Sequence, residues 1–285
     1  MRPLASPRPY DVGILFATRA VRLFAYGFLS VVLVLYLAAL GFSEAAIGTL
    51  LTLTLAGDTV LSLGITTRAD RIGRRRMLIL GAALMAAAGV LFASSDAFWV
   101  LLVAATIGII SPAGNEVGPF LAIEQAALAQ RVPAERRTGT FAWYSLVGSF
   151  ATALGALAAG GLAGALQRRG LPELASYRAV VVGYGALGLV LVALFARLGP
   201  EVEAAPGDVS AGAPALDRTL GLGRSRAVVL RLSGLFAVDA FAGGFVVQSF
   251  VAWWFHERFG APVELLGGIF FGANVLAGVS ALSAG

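Results

Sequence analysis

Long apolar segments, separated by short polar or charged stretches, constrain this chain more than any other feature. Of its 285 residues, 58% are hydrophobic and only 13% are charged, which is far more apolar surface than a soluble domain of this length could bury. A helix of about 20 apolar residues crosses the hydrocarbon layer of a bilayer. We therefore expect these segments to be transmembrane helices.

Eight such segments can be counted along the chain. They cover residues 12–40, 45–67, 77–93, 98–123, 139–166, 179–198, 227–255 and 264–285. Residues 199–226 are rich in Pro, Gly, Ala and mixed charge, a composition that cannot bury enough surface to fold alone. The sequence thus predicts a six-helix transmembrane bundle over residues 1–198, a cytoplasmic linker over 199–226, and two further helices over 227–285.

The stretch between the second and third segments, residues 66–76, reads as a tight loop crowded with arginine. Short loops rich in Lys or Arg stay on the cytoplasmic side, so this loop orients the chain. The connection 124–138 lies on the same side in this order, whereas the opposite stretch 167–178 carries three arginines against the rule. We expect a multi-pass protein of the cell (inner or plasma) membrane with its N-terminus in the cytoplasm.

The fourth segment carries helix-breaking residues near its end. Pro112 and Pro119, with polar side chains between them, interrupt the helical hydrogen-bond ladder. Within a bilayer, such a break persists only where protein or a water-filled cavity satisfies the freed backbone groups. We therefore expect a cavity beside Asn115 and Glu116.

Several ionisable side chains are predicted to lie at membrane depth, where charge is costly unless it is paired or faces a cavity. They are the carboxylates Asp58, Glu116 and Asp239 and the cations Arg19, Arg22 and Arg231. Two interpretations stay open. One is a structural ion pair, for example Arg19 or Arg22 with Asp58; the other is proton uptake and release by Asp58 or Glu116 as the cavity opens.

Other polar side chains complete the candidates for a substrate or proton pathway. Tyr26 shares one face of the first segment with the two arginines at helical spacing. The amides Asn115 and Gln248 could contact substrate or form interhelical hydrogen bonds. The full candidate set is Arg19, Arg22, Tyr26, Asp58, Asn115, Glu116, Asp239 and Gln248.

The arginine-rich loop contains Asp70, Arg71, Gly73, Arg74 and Arg75 in a spacing that resembles the signature between the second and third spans of the major facilitator superfamily. This resemblance implies an all-α integral membrane fold: one six-helix bundle, a linker and about two helices of a second bundle, an incomplete twelve-helix fold that we expect to be a fragment or truncated product. It also implies that the five residues form a cytoplasmic latch, with part of its docking surface in a late span. The arginines could instead only anchor the topology or bind anionic lipid.

The resemblance implies a secondary active transporter that moves a small solute by alternating access, by family analogy in drug or metabolite efflux and with proton coupling. A non-transporting membrane sensor or partner-binding protein, or a non-functional truncated remnant, stays open as an alternative. The sequence contains no cysteine and no recognisable metal-ligand or nucleophile motif. We therefore expect no enzyme, cofactor or metal site; the expected partners are a solute, membrane lipid and protons, and no nucleic acid.

Overall fold

A computed structural model of the protein describes residues 9–108, 110, 118–199, 202–203, 226–244 and 247–283. Its long elements within these ranges are α-helices. In chain order they are α1 Pro9–Ser30, α2 Leu33–Ala39, α3 Glu44–Ile72, α4 Arg74–Ser94, α5 Phe98–Ile107, α6 Phe120–Arg131, α7 Ala134–Arg168, α8 Glu173–Phe195, α9 Arg226–Gly243, α10 Gln248–Phe259 and α11 Val263–Ser283.

Seven helical stretches in the described part of the chain are long and apolar enough to cross a membrane. They are Asp11–Ala39, Glu44–Ile72, Arg74–Ser94, Ala134–Arg168, Glu173–Phe195, Ala227–Phe259 and Val263–Ser280. The predicted fourth span is different, because its helix stops at Ile107 and helical structure resumes at Phe120. The predicted all-helical membrane fold is confirmed, and the predicted fourth span is divided between two helices; Pro112 lies outside the described residues.

The prediction of a loop over residues 66–76 is wrong. α3 continues to Ile72 and α4 begins at Arg74, so the turn consists of Gly73 alone. Its N–H donates to the Ala69 carbonyl at 2.9 Å and its carbonyl accepts from Met77 N–H at 3.1 Å. With φ at +117°, this residue adopts a backbone conformation that only glycine tolerates well. Arginine favours helix, so the helices extend through the charged residues up to that point.

The first span lies at the centre of the bundle and is the most deeply buried of the seven. It is broken between α1 and α2 at Val31 and Val32. The Ser30 carbonyl near this break accepts a hydrogen bond from Ser249 Oγ at 2.6 Å. The backbone carbonyl at the break is therefore hydrogen-bonded to a residue of α10, which follows the linker in the sequence.

Glycines allow α7 to approach its neighbours closely. A Cβ placed on Gly155 would lie 2.1 Å from the Phe24 carbonyl oxygen of α1. On another face of α7, a Cβ on Gly160 would lie 3.0 Å from the Cα of Gly267 in α11. Small residues are how transmembrane helices bring their backbones together, so α7 joins the first bundle to the last helix.

The apolar side chains of α9 are largely exposed in the structure. Leu235, Phe236 and Phe241 are each about 70% exposed, and Arg231 and Asp239 are exposed on the same helix. The expectation that Asp239 and Arg231 face a shared interior with Asp58 is therefore wrong for this structure, because α9 does not pack into the bundle. Residues 1–8 and most of the predicted linker, 204–225, lie outside the described residues, so the predicted division into domains stays a prediction.

Candidate functional site

A fully buried ion pair joins α1 to α6. Arg22 Nη1 donates to Glu124 Oε1 at 2.8 Å, and Arg22 Nη2 donates to Glu124 Oε2 at 2.6 Å. Both side chains have no solvent-exposed surface. Two parallel hydrogen bonds between a guanidinium and a carboxylate give the strongest and most directional form of such a pair.

The Glu124 carboxylate has two further donors. Thr18 Oγ1 donates to Oε1 at 2.8 Å, and the Tyr144 hydroxyl donates to Oε2. Thr18 and Arg22 are four residues apart on α1, so they share the face that meets α6. This carboxylate is therefore neutralised by one cation and satisfied by hydrogen bonds on both oxygens.

The predicted pairing of Arg19 or Arg22 with Asp58 is wrong. Arg22 pairs with Glu124, which the sequence had placed in a cytoplasmic connection. Arg19 lies against α7 instead, where its Nε donates to the Tyr144 carbonyl at 2.6 Å and its Cζ lies 4.2 Å from the centre of the Tyr144 ring. The reason is that α6 starts at Phe120, after the interruption, so Glu124 falls in the first buried turns of a new helix.

Asp58 has a different environment from Glu124. Its side chain is buried on α3, with 6% of its surface exposed, and it accepts one hydrogen bond, from Ser62 Oγ at 3.1 Å. Within the described ranges no basic side chain forms an ion pair with it. Thr54, one turn earlier, is also buried, but its hydroxyl donates to the Leu50 carbonyl. Asp58 is therefore a buried carboxylate without a compensating charge.

Tyr184 lies near this carboxylate, and Tyr26 lies near Tyr184. Tyr26 of α1 is 1% exposed, as the shared face of the first segment predicts. Tyr184 of α8 is fully buried and lies close enough to both Tyr26 and Asp58 to interact with them electrostatically. Its hydroxyl donates to the Gly108 carbonyl at 3.0 Å, at the end of α5. The interior between α1, α3, α5 and α8 is thus polar at this level.

Of the two predicted amides, Gln248 can be placed. Its Nε2 donates to Ser30 Oγ at 2.8 Å, and its Oε1 accepts from Asn274 Nδ2 at 3.3 Å. Gln248 therefore links α1, α10 and α11 by interhelical hydrogen bonds, which was one of the two interpretations. Asn115 and Glu116 lie outside the described residues.

The predicted latch residues gather at one end of the bundle, together with the start of α1 and the end of α6. Asp70 Oδ1 accepts from Arg74 Nε at 2.7 Å, and Arg74 Nη1 donates to Gln130 Oε1 at 2.7 Å. Arg75 Nη2 donates to the Ala196 carbonyl, whereas Arg71 is exposed. We call this end of the bundle the arginine end.

Several residues that the sequence analysis did not name as site candidates contribute to the site: Thr18, Glu124, Tyr144, Tyr184 and Asn274. A signal for Glu124 was present, since it lies between apolar residues at helical spacing. Across the described residues, no group of three or more His, Cys, Asp and Glu side chains is arranged to hold a metal ion.

The fold and the buried polar interior define a multi-pass, all-helical membrane protein. The sequence model of the Major Facilitator Superfamily matches residues 15–285, and the chain belongs to that superfamily. Members of this family are generally transporters, not enzymes. The predicted family is thereby confirmed.

A relative from Saccharomyces cerevisiae, described as uncharacterized membrane protein YJR124C, is 33% identical over 286 residues. The match covers 92% of this chain and 64% of the relative. The chain therefore spans about two thirds of the length of the curated relative that it matches.

Proposed function

We propose that this chain belongs to a secondary active transporter that moves a small solute across the membrane by alternating access, and that Asp58 takes up and releases the coupling proton. Membership of a transporter family supports the first part. The second part depends on one observation: among the residues that the structure describes, no cation pairs with the buried Asp58, whereas Glu124 is paired with Arg22.

The contrast between these two carboxylates decides their roles. A buried charge is costly unless it is paired or becomes neutral. Glu124 faces a bidentate guanidinium and two hydroxyl donors, so it is stable as a charged group and serves to hold α1, α6 and α7 together. Asp58 has one hydroxyl donor, so it is stable when closed off from water only if a proton or a cationic group neutralises it.

This difference couples the charge of Asp58 to the opening of the interior. When water reaches the carboxylate from one side, it can exchange a proton with that side. When the interior closes, the neutral form is favoured and the proton is carried through the change of conformation. A solute that binds in the same interior moves with the proton or against it, according to which form of the protein binds it.

We propose that the protein lies in the inner or plasma membrane of the cell, in an orientation in which the arginine end faces the cytoplasm. The structure brings Asp11, Arg74 and Arg131 to one end, and an excess of arginine is typical of the cytoplasmic side. The proposed direction is outward, for a drug-like or metabolic compound. Apolar side chains dominate the interior of the bundle, which suits such solutes.

The test uses the full-length protein in proteoliposomes. A panel of drug-like and metabolic solutes is screened for stabilisation of the purified protein, and each solute that stabilises it is tested for flux under an imposed pH gradient. We expect flux that depends on the gradient, and we expect Asp58→Asn to abolish this dependence. The matched control is Asp96→Asn, at an exposed carboxylate that pairs with Arg178 at 2.9 Å, and it should leave the dependence unchanged.

Two results would count against the proposal. If Asp58→Asn keeps the wild-type response to the gradient, Asp58 is not the coupling group. If no solute stabilises the protein or crosses the membrane, the chain is a sensor or partner-binding protein on this scaffold instead.

A further inference from the structure

α4 begins with charges of the wrong sign for its position. Arg74, Arg75 and Arg76 occupy its first turn, where the backbone N–H groups lack helical partners and the helix dipole is positive. Cations at this end destabilise a helix, whereas carboxylates stabilise it. The preceding Gly73 has no side chain with which to cap the helix.

Glu203, at the start of the predicted linker, supplies the missing carboxylate. Its Oε2 accepts a hydrogen bond from the Arg74 backbone N–H at 2.5 Å. A Cβ on Gly73 would lie 3.1 Å from the other carboxylate oxygen, so the absence of a side chain there leaves room for Glu203. The carboxylate of the linker therefore acts as the cap that α4 lacks in its own sequence.

Other contacts fasten the same stretch of chain to the arginine end. We call the described residues 196–199 and 202–203 the strap. Arg75 donates to the Ala196 carbonyl, and the Gly199 N–H donates to Asp11 Oδ1 at 3.2 Å. The second oxygen of Asp11 accepts from Arg131 at 2.7 Å, in a pair whose side chains are almost fully buried.

Apolar burial adds to these polar contacts. Leu198 is 2% exposed and Val202 is fully buried, so the strap packs onto the bundle through both kinds of contact. It touches the ends of α1 and α4, and through Asp11 it reaches the Arg131 end of α6. A displacement of the linker would therefore directly change the contacts of the latch residues Arg74 and Arg75.

We propose that Glu203 is a positioning residue of the latch: it caps α4 and holds Arg74 where its guanidinium meets Asp70 and Gln130. Through Glu203, the linker contributes to the latch and affects the equilibrium between the closed and open conformations of the arginine end. This inference deepens the proposed function and rests on it, because the latch has a role only if the bundle moves during transport.

The experiment exploits the absence of cysteine from the chain. Val202→Cys introduces the one thiol of this 285-residue chain, at a side chain that is buried while the strap is docked. Its labelling by a membrane-impermeant maleimide is compared with and without Glu203→Gln, and amide hydrogen exchange is followed at Met77 and Leu78 in the same samples. Glu135→Gln, at an exposed carboxylate in the first turn of α7, is the matched control.

We expect Glu203→Gln to raise both the labelling rate and the exchange rate about fivefold, because the amide keeps an acceptor oxygen but removes the negative charge that offsets the three arginines and the helix dipole. The control should change neither rate. In flux measurements on a solute that the stabilisation screen identifies, Glu203→Gln should change the maximal rate and leave KM unaltered, since Glu203 lies at the end of the bundle and not among the interior candidates.

Unchanged labelling and exchange in Glu203→Gln would overturn the proposed stabilisation of α4 by the charge of Glu203, and unchanged rates in Glu203→Ala would overturn the capping contact itself. Faster labelling and exchange with an unaltered maximal rate would overturn the role in the latch, because Glu203 would then be structural only. If the wild-type protein carries no flux, the proposed function fails and the transport role of Glu203 fails with it, while labelling and exchange still decide whether the strap is held by Glu203.

Discussion

Replacing one member of the buried Arg22–Glu124 pair tests whether the core of the bundle depends on it. In Arg22→Gln, the Glu124 carboxylate keeps its hydrogen bonds from Thr18 and Tyr144 but loses the cation that neutralises it. Removing one partner of a buried pair costs about 3–5 kcal/mol, because the other charge stays buried without compensation. Glu124→Gln should also lower the free energy of unfolding, because it removes the carboxylate that holds Arg22 by two hydrogen bonds.

The double variant Arg22→Gln with Glu124→Gln separates this explanation from simple loss of packing. Two amides can hydrogen-bond to each other and leave no buried charge, so we expect the double variant to recover at least about 2 kcal/mol relative to the sum of the single variants. The free energy of unfolding is measured by SDS titration in mixed micelles, with helix content followed by circular dichroism.

Either of two results would show that the pair does not stabilise the bundle in this way. A single variant that costs less than about 1 kcal/mol would show that the charge of the pair is not buried as described. Additive costs in the double variant would show that the two side chains do not interact, whatever their separate contributions.

Three further predictions concern packing, the broken first span and topology. Gly155→Ala should lower the free energy of unfolding by about 1–3 kcal/mol, because the added Cβ collides with the backbone of α1; Gly161→Ala, where a Cβ meets open space, should be neutral in the same SDS titration. Ser249→Ala should cost about 0.6–1.7 kcal/mol by that titration, since it removes one interhelical hydrogen bond within the membrane. Single cysteines at Arg76 and Arg169 should react with an impermeant maleimide from opposite sides of sealed vesicles, and labelling of both from one side would contradict the topology.

Much of the fold could be predicted from the sequence because length and apolarity alone identify spanning helices in lipid. The interruption of the fourth span was also predictable, since Pro112 and Pro119 remove backbone donors. The extent of the helices at the arginine end was not, because polar composition suggested a loop. Whether arginines such as Arg74 continue a helix depends on what compensates their charge, and the compensating Glu203 lies far away in the chain.

The candidate site was predictable in part for a similar reason. The burial of Asp58 and Tyr26 could be predicted from their positions within apolar segments and their helical spacing; their role in transport stays a prediction. Glu124 was missed, because a boundary error of a few residues moved it from a buried helix to a connection. The sequence could not show which carboxylate pairs with Arg22, because Asp58 and Glu124 both lie in or next to apolar segments. Only the packing of α6 against α1 brings Glu124 to Arg22.

The central claim is that Asp58, and not Glu124, changes its protonation inside the membrane. Infrared difference spectra recorded between acidic and alkaline samples of the full-length protein test it directly, through the carbonyl band of a protonated carboxylic acid. We predict a band that appears on acidification of the wild-type protein, is lost in Asp58→Asn and persists in Asp96→Asn. A wild-type spectrum that Asp58→Asn leaves unchanged would contradict it.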